Sequence, residues 1–156
     1  MIRRGSGPTF LMAKQILIVE DNADHLELTV LTLQELGTAA EIVVARDGAE
    51  ALNYLWGQGS YAGRDAQQQP VLVMLDMKLP KLSGLEVLRS LRGNALTAHV
   101  PVVMLTSSCE ASDMLACYQQ GANGFVRKPV NFQAFTDKLN HLQAYWIGVN
   151  EAVGRG

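Results

Sequence analysis

The stretch VLVMLDMKLPKLSG, residues 71–84, decides how the rest of the chain can fold. Its first five residues are apolar, which is typical of a strand buried on both faces in the middle of a parallel sheet. The run ends at Asp76, and Pro80 and Ser83-Gly84 then predict a turn. A helix cap is one alternative for Asp76, but the next helical pattern begins only near Leu85. Because an unpaired buried charge is costly, we expect Asp76 at the carboxyl end of the strand, in the crevice of an open α/β sheet.

The composition indicates a single globular domain. The chain has 156 residues, 48% of them hydrophobic, and its 13 Lys+Arg against 15 Asp+Glu give a formal charge of -2. This length is sufficient for one core, and the charge predicts no nucleic-acid-binding face. No apolar run approaches the roughly 20 residues that cross a bilayer. We therefore expect no membrane association, and we interpret residues 1–13 as a flexible lead-in that lacks the apolar region of a signal peptide.

The cysteines and histidines are spaced too irregularly for a metal site. Cys109 and Cys117 form no C-x-x-C motif, and they predict two free thiols in a reducing cytoplasm. His25, His99 and His141 are scattered along the chain, so we expect surface positions rather than ligand positions.

Strand and helix patterns alternate five times along the chain. Apolar runs at 15–19, 42–45, 71–75, 100–105 and 124–126 are each followed by helical spacing. The weak fourth helix has its stripe at Ala111, Leu115 and Tyr118, and the last helix is expected to pack Phe132, Phe135, Leu139 and Leu142 into the core, with Trp146 on the same stripe. This alternation predicts a doubly wound α/β fold with a parallel sheet. The domain would span 14–147, with a longer surface loop at 57–70 and a tail at 148–156.

Polar side chains stand at the carboxyl ends of four predicted strands. Glu20 and Asp21 follow the first strand, Asp76 the third and Lys128 the fifth, and Thr106 ends the fourth. Since these ends share one edge of a parallel sheet, three carboxylates, a hydroxyl and an ammonium would meet in one crevice.

This set of groups suits phosphoryl transfer. Three close carboxylates repel one another unless a cation intervenes, and oxygen ligands of this kind suit Mg²⁺. Lys128 and Thr106 could each bond a phosphoryl oxygen, which leaves the Asp76 carboxylate as the nucleophile. Such a transfer requires little beyond in-line positioning and charge neutralisation.

Four motifs in this set resemble those of two-component receiver domains. They are Glu20-Asp21-Asn22, Asp76-x-x-Leu-Pro-x-x-Ser-Gly84, Thr106-Ser107 and Lys128-Pro129. The resemblance covers Lys14 to Ile147. It implies a flavodoxin-like, CheY-like fold with helices on both faces of a five-stranded parallel sheet in the order 2-1-3-4-5.

The resemblance also implies roles for the site residues. Asp76 would be the phosphoacceptor, and Mg²⁺ would be held by Asp21, Asp76 and the backbone carbonyl of Lys78. Glu20 would act on the metal mainly through water, and it stands where Asp is common in the family.

Thr106 and Phe125 would form the switch pair of such a domain. Phe125 stands where Tyr is frequent in the family, so this position has no hydroxyl group through which the switch could be read. The Lys128-Pro129 peptide bond would be cis. The phosphoryl donor would be a sensor histidine kinase or a phosphotransfer protein.

A narrower likeness is to single-domain receivers that partner bacterial phytochromes, through residues 139–147 and the loop at 57–70. No effector domain is visible after residue 150, so we expect the output to pass through contacts of this domain with a downstream protein target. We expect no turnover of a separate substrate. A Mg²⁺ phosphohydrolase usually has a second acid two residues after its nucleophile, where this chain has Lys78. A docking module that is never phosphorylated is a further alternative, but such a module would not need all five site groups.

The last helix predicts self-association. From Asn131 to Ile147 it would run roughly 25 Å at 1.5 Å per residue, whereas strands of five or six residues span about 17–20 Å. Tyr145, Trp146 and Ile147 would then overhang the sheet as an exposed apolar patch, which favours a homodimer. The alternative is that Trp146 folds back onto the domain's own loops.

Overall fold

The computed structural model describes residues 13–107 and 110–153. The strands are β1 (Gln15–Val19), β2 (Glu41–Ala45), β3 (Leu72–Leu75), β4 (Val102–Thr106) and β5 (Gly124–Arg127). The helices are α1 (Ala23–Glu35), α2 (Gly48–Trp56), α3 (Gly84–Arg92), α4 (Ala111–Gln119) and α5 (Phe132–Gly148). The predicted lead-in, apart from Ala13, and Cys109 lie outside the described residues.

The five strands form one parallel sheet in the order β2-β1-β3-β4-β5, which confirms the predicted topology. Val19 pairs with Leu75, so β1 and β3 end level with each other. Thr106 pairs with Arg127 at the ends of β4 and β5. This register brings the residues after the strands to one edge of the sheet.

Strand β3 is buried on both faces, as its apolar run predicts. Val73 and Leu75 pack into the core beneath α2, α3 and α4. Leu72 and Met74 pack into the opposite core, beneath α1 and α5. The helices therefore cover both faces, and among the described residues no helix is long and apolar enough to span a membrane.

Four helices begin at side-chain caps on the edge where the strands end. The side-chain oxygens of Asn22, Asp47, Ser83 and Asn131 accept hydrogen bonds from backbone N–H groups in the first turns of α1, α2, α3 and α5. A cap of this kind stabilises a helix by about 1 kcal/mol. The caps fix the directions in which the chain leaves the sheet.

Gly84 is required by a close backbone approach. A Cβ at this position would lie 2.1 Å from the Asp76 carbonyl oxygen and 2.7 Å from the Met77 Cα. The Gly84 N–H donates to the Met77 carbonyl at 2.8 Å. The glycine of the sequence motif thus lets α3 begin directly against the backbone that carries Asp76.

The loop at 57–70 is more ordered than an ordinary surface loop. It contains a 3₁₀ turn, Gly59–Tyr61, and the Arg64 guanidinium lies 4.0 Å from the centre of the Tyr54 ring. Arg64 also donates to the Tyr54 carbonyl at 2.8 Å, and the Tyr61 hydroxyl donates to Glu50 at 3.0 Å. These bonds fold the segment back along α2.

Two helix stripes differ from the prediction. Leu115, Tyr118 and Phe132 are exposed, and α4 instead buries Cys117. The placement of Phe132 in the core was therefore wrong, and Leu115 and Tyr118, whose spacing indicated α4, do not form its buried face. Short helices with apolar residues on several faces leave the sequence pattern ambiguous, and the packing of α4 against β5 decides which face is buried.

The prediction of an exposed apolar patch at the end of α5 was also wrong in part. Ile147 is buried, Trp146 is half-buried against the α1/α5 core, and only Tyr145 is exposed, at 48%. The core extends beyond the ends of the strands, because Val71, which precedes β3, belongs to the same buried cluster as Ile147. The Lys14 ammonium also donates to the Ile147 carbonyl at 2.7 Å, which holds the end of α5 against the chain entering β1.

Candidate functional site

Three carboxylates meet where β1 and β3 end. Glu20, Asp21 and Asp76 each offer an oxygen atom within 4.8 Å of the others. Glu20 and Asp76 are buried, whereas Asp21 is exposed. The structure therefore brings together the three acids that the sequence singled out.

The Lys128 ammonium lies between the two buried carboxylates. It is hydrogen-bonded to Glu20 Oε1 and lies 3.2 Å from Asp76 Oδ2, and its side chain is only 8% exposed. The Lys128 backbone N–H donates to the Thr106 carbonyl at 2.7 Å, which continues the β4–β5 ladder into the site.

The peptide bond that follows Lys128 was predicted wrongly. Among the described residues no peptide bond is cis, so the bond from Lys128 to Pro129 is trans. The trans form is the more stable one before proline, by about 0.5–1 kcal/mol.

The charges of the site are unbalanced. Three carboxylates face one ammonium, so two negative charges are left without a partner among these four groups. Burial raises the pKa of Glu20, and the neighbouring Asp76 charge raises it further, while Lys128 opposes both effects. A divalent cation would restore neutrality, and the oxygen-only ligand set fits Mg²⁺.

Asp76 is held through both its backbone and its carboxylate. Its N–H donates to the Val19 carbonyl at 3.2 Å, and its Oδ1 accepts from the Lys78 N–H at 3.3 Å. Its other oxygen faces Lys128. The role of the Lys78 carbonyl as a metal ligand stays a prediction, and the Lys78 side chain is exposed.

Thr106 and Phe125 belong to neighbouring strands beside this cluster. Leu75 pairs with Met104, so Thr106 ends β4 close to the level of Asp76. Thr106 is buried, and Phe125 is half-buried against the α2/α3/α4 core. The predicted switch residues are thus neighbours of the site, and their role as a switch stays a prediction.

Three contacts were missed by the sequence reasoning. His25 Nδ1 lies 3.4 Å from the Lys128 ammonium, the Asn22 N–H donates to Glu20 Oε2 at 3.2 Å, and Arg46 donates to the Asp21 carbonyl at 3.2 Å. The Asn22 contact is local, because a backbone N–H bonds a carboxylate only two residues earlier. The other two join residues 25 or more positions apart, and no local pattern reports them.

A groove of about 550 Å³ lies beside the site, between α4, β5 and α5. Its apolar and aromatic lining includes Met114, Phe125 and Trp146, and its basic lining residues are Arg127, Lys138 and His141. As predicted, His25, His99 and His141 are at the surface.

Comparisons with known proteins agree with this geometry. The family model described as the response regulator receiver domain matches residues 16–140. Response regulator Rcp1 of Synechocystis sp. is 31% identical over 134 residues, which cover 86% of this chain and 89% of Rcp1. The crystal structure of the Mn(2+)-bound form of Rcp1 has a TM-score of 0.83 to this chain at 30% identity, and covers 90% of this chain and 99% of its own.

Two further structures are similar. The phosphorylated cyanobacterial phytochrome response regulator RcpA has a TM-score of 0.84 and 30% identity, over 91% of this chain and 99% of that chain. The bacteriophytochrome response regulator AtBRR has a TM-score of 0.74 and 44% identity, over 94% of this chain and 100% of that chain.

Lys128→Met is expected to destabilise the metal-free protein at pH 7 by about 3 kcal/mol, because it leaves two buried carboxylates without a cation. This loss of stability should become smaller as the pH falls. A carboxyl group whose pKa is raised in the folded state favours folding at low pH, and this contribution is lost as the pH rises through the folded-state pKa. Urea unfolding of the chelator-treated protein at pH 5 and pH 7 measures both effects.

Lys78→Met is the matched control, since it removes the same charge from an exposed side chain at the same edge. It should cost less than about 0.5 kcal/mol. Equal destabilisation by the two variants would show that Lys128 does not hold the carboxylates together.

Proposed function

Since the chain belongs to the response regulator receiver domain family, we propose that it accepts a phosphoryl group on Asp76 from the phosphohistidine of a sensor histidine kinase or phosphotransfer protein. The observation that carries the proposal is the Asp76 carboxylate itself. It is buried at the end of the central strand, beside Glu20 and Asp21, with the Lys128 ammonium 3.2 Å away. A carboxylate in this position is a nucleophile beside one cationic group, Lys128, and beside two acids that could hold a further cation against the incoming phosphoryl group.

The proposed step is an in-line displacement. A carboxylate oxygen of Asp76 forms the new P–O bond, while the P–N bond of the donor breaks and its electron pair stays on the imidazole nitrogen, which later takes a proton. Lys128 provides positive charge to the transferred group. Mg²⁺, held by Asp21, Asp76 and the Lys78 carbonyl with Glu20 behind them, would neutralise the remaining charge. Asp76 is thus a phosphoacceptor, and the chain turns over no separate substrate.

Asp76→Asn is expected to abolish phosphorylation while the protein stays folded. With acetyl phosphate and Mg²⁺, intact-mass spectrometry of the wild type should show one added phosphoryl group that is labile to base. Circular dichroism checks the fold of the variant.

Asp24→Asn, at an exposed acid near the same strand end, is the matched control and should label like the wild type. Omitting Mg²⁺, or changing Asp21→Ala, should lower the labelling at least tenfold. Undiminished labelling of Asp76→Asn would rule out this phosphoacceptor.

The proposed signal begins at Thr106. A phosphoryl group on Asp76 adds acceptor oxygens that the Thr106 hydroxyl can approach, which would draw the end of β4 inward. Phe125 is packed against the α2/α3/α4 core and also lines the groove between α4, β5 and α5. A shift of Phe125 would therefore change the groove, which we propose as the surface read by a downstream protein target.

Thr106→Ala should still accept phosphate but lose the phosphorylation-dependent change in amide hydrogen exchange near Phe125, because the alanine cannot bond the phosphoryl group. Ser107→Ala, at the exposed neighbouring hydroxyl, should keep that change. If exchange near Phe125 still responds to phosphate in Thr106→Ala, the hydroxyl is not the sensor.

The proposed kinase partner is a bacterial phytochrome. Support comes from RcpA and AtBRR, which are a phytochrome and a bacteriophytochrome response regulator and which this chain matches over nearly its whole length. A partner with a cytoplasmic kinase module implies that the chain works in the cytoplasm. The kinase that transfers phosphate fastest to Asp76 in a comparison of purified sensor kinases identifies the partner.

We also propose a homodimer through the C-terminal part of α5. Because Ile147 is buried, it cannot form this interface. The side chains that could form it are Tyr145 and Val149, which are both exposed, and the exposed part of Trp146. Aromatic residues at the surface are favoured interface anchors.

Tyr145→Ser is expected to raise the dimer dissociation constant at least tenfold, because it removes an aromatic anchor. Sedimentation at tens of micromolar, with and without phosphate on Asp76, measures it. Val44→Thr, on the exposed edge strand β2, is the control and should dimerise like the wild type. A wild type that is monomeric in both states excludes the dimer.

A further inference from the structure

The Lys128 ammonium has a third neighbour besides the two buried carboxylates. An ammonium carries three N–H donors and no acceptor. Two of these donors serve Glu20 and Asp76, and His25 Nδ1 lies 3.4 Å from the same nitrogen. Because the ammonium can only donate, a hydrogen bond here requires the His25 tautomer that has its lone pair on Nδ1 and its proton on Nε2.

The backbone of His25 is held in place by its own helix. The His25 N–H donates to the Asn22 side chain at 3.0 Å, and the His25 carbonyl accepts from the Thr29 hydroxyl at 2.9 Å. Residue 25 therefore has a fixed position in the first turn of α1. Its side chain is exposed and lies at the mouth of the site, above a nearly buried lysine.

We infer that His25 is a positioning residue, which acts through Lys128 to direct the ammonium toward the mouth of the site. This inference rests on the proposed phosphorylation of Asp76. Glu20 and Asp76 both attract the ammonium inward, and Asp76 must free an oxygen for attack while Lys128 meets the incoming phosphoryl group. A neutral acceptor on the outer side opposes the inward pull without adding a charge that would repel the phosphoryl donor.

The size of the effect follows from the exposure of the contact. A hydrogen bond at the protein surface contributes modestly, and water can replace part of it. We therefore expect a change of about threefold in the rate of phosphorylation rather than a loss of activity. Asn at position 25 should replace His, because its Oδ1 can occupy the place of the imidazole Nδ1.

The first test measures the rate of phosphate uptake from phosphoramidate with saturating Mg²⁺. His25→Ala should be about threefold slower than the wild type, and His25→Asn should recover the wild-type rate. His99→Ala, which removes another exposed histidine, is the control and should be unchanged. A wild-type rate in His25→Ala overturns the inference, and so does a His25→Asn variant that is as slow as His25→Ala.

The second test requires no phosphate. In the ¹⁵N NMR spectrum, the Nδ1 resonance of His25 should shift when Lys128→Met removes the donor, while that of His99 should not move. An unchanged His25 resonance overturns the contact. If the wild type takes no phosphate from any donor, the proposed function fails, and the NMR result still decides separately whether His25 accepts from Lys128.

Discussion

The site depends on one buried ammonium between two buried carboxylates. Lys128, at the end of β5, reaches Glu20 and Asp76, which belong to β1 and β3. Without a cation, two ionised carboxylates buried so close together would be costly. One lysine leaves the site short of positive charge, and a divalent cation bound by the carboxylate oxygens would supply it.

The parallel sheet makes this cluster possible because its strands end level. The pairing of Val19 with Leu75 puts Glu20 beside Asp76, and the pairing of Thr106 with Arg127 brings in Lys128. The helices then begin at the same edge, and Gly84 lets α3 approach the Asp76 backbone closely. Asn22 serves both purposes, because its side chain caps α1 and its backbone N–H donates to Glu20.

A groove with basic lining residues lies between α4, β5 and α5. Its lining residue Tyr145 is exposed, and Leu115 and Tyr118 of α4 are exposed as well. Large contiguous apolar patches are often found where proteins contact other molecules. Phe125 lines this groove and also packs against the α2/α3/α4 core, which contains Leu75, the residue before Asp76.

The strand order followed from the resemblance to receiver domains. The sequence by itself determined the alternation of strands and helices, and the acids, hydroxyl and lysine of the site. These depend on local patterns, since apolar runs that end in polar residues report strand ends wherever the strands lie. Only the tertiary structure decided which face of α4 is buried, that Ile147 is in the core, and that the Lys128-Pro129 bond is trans. It alone brought His25 to Lys128, 103 residues away. Such contacts arise from packing between distant segments, and no periodicity along the chain encodes them.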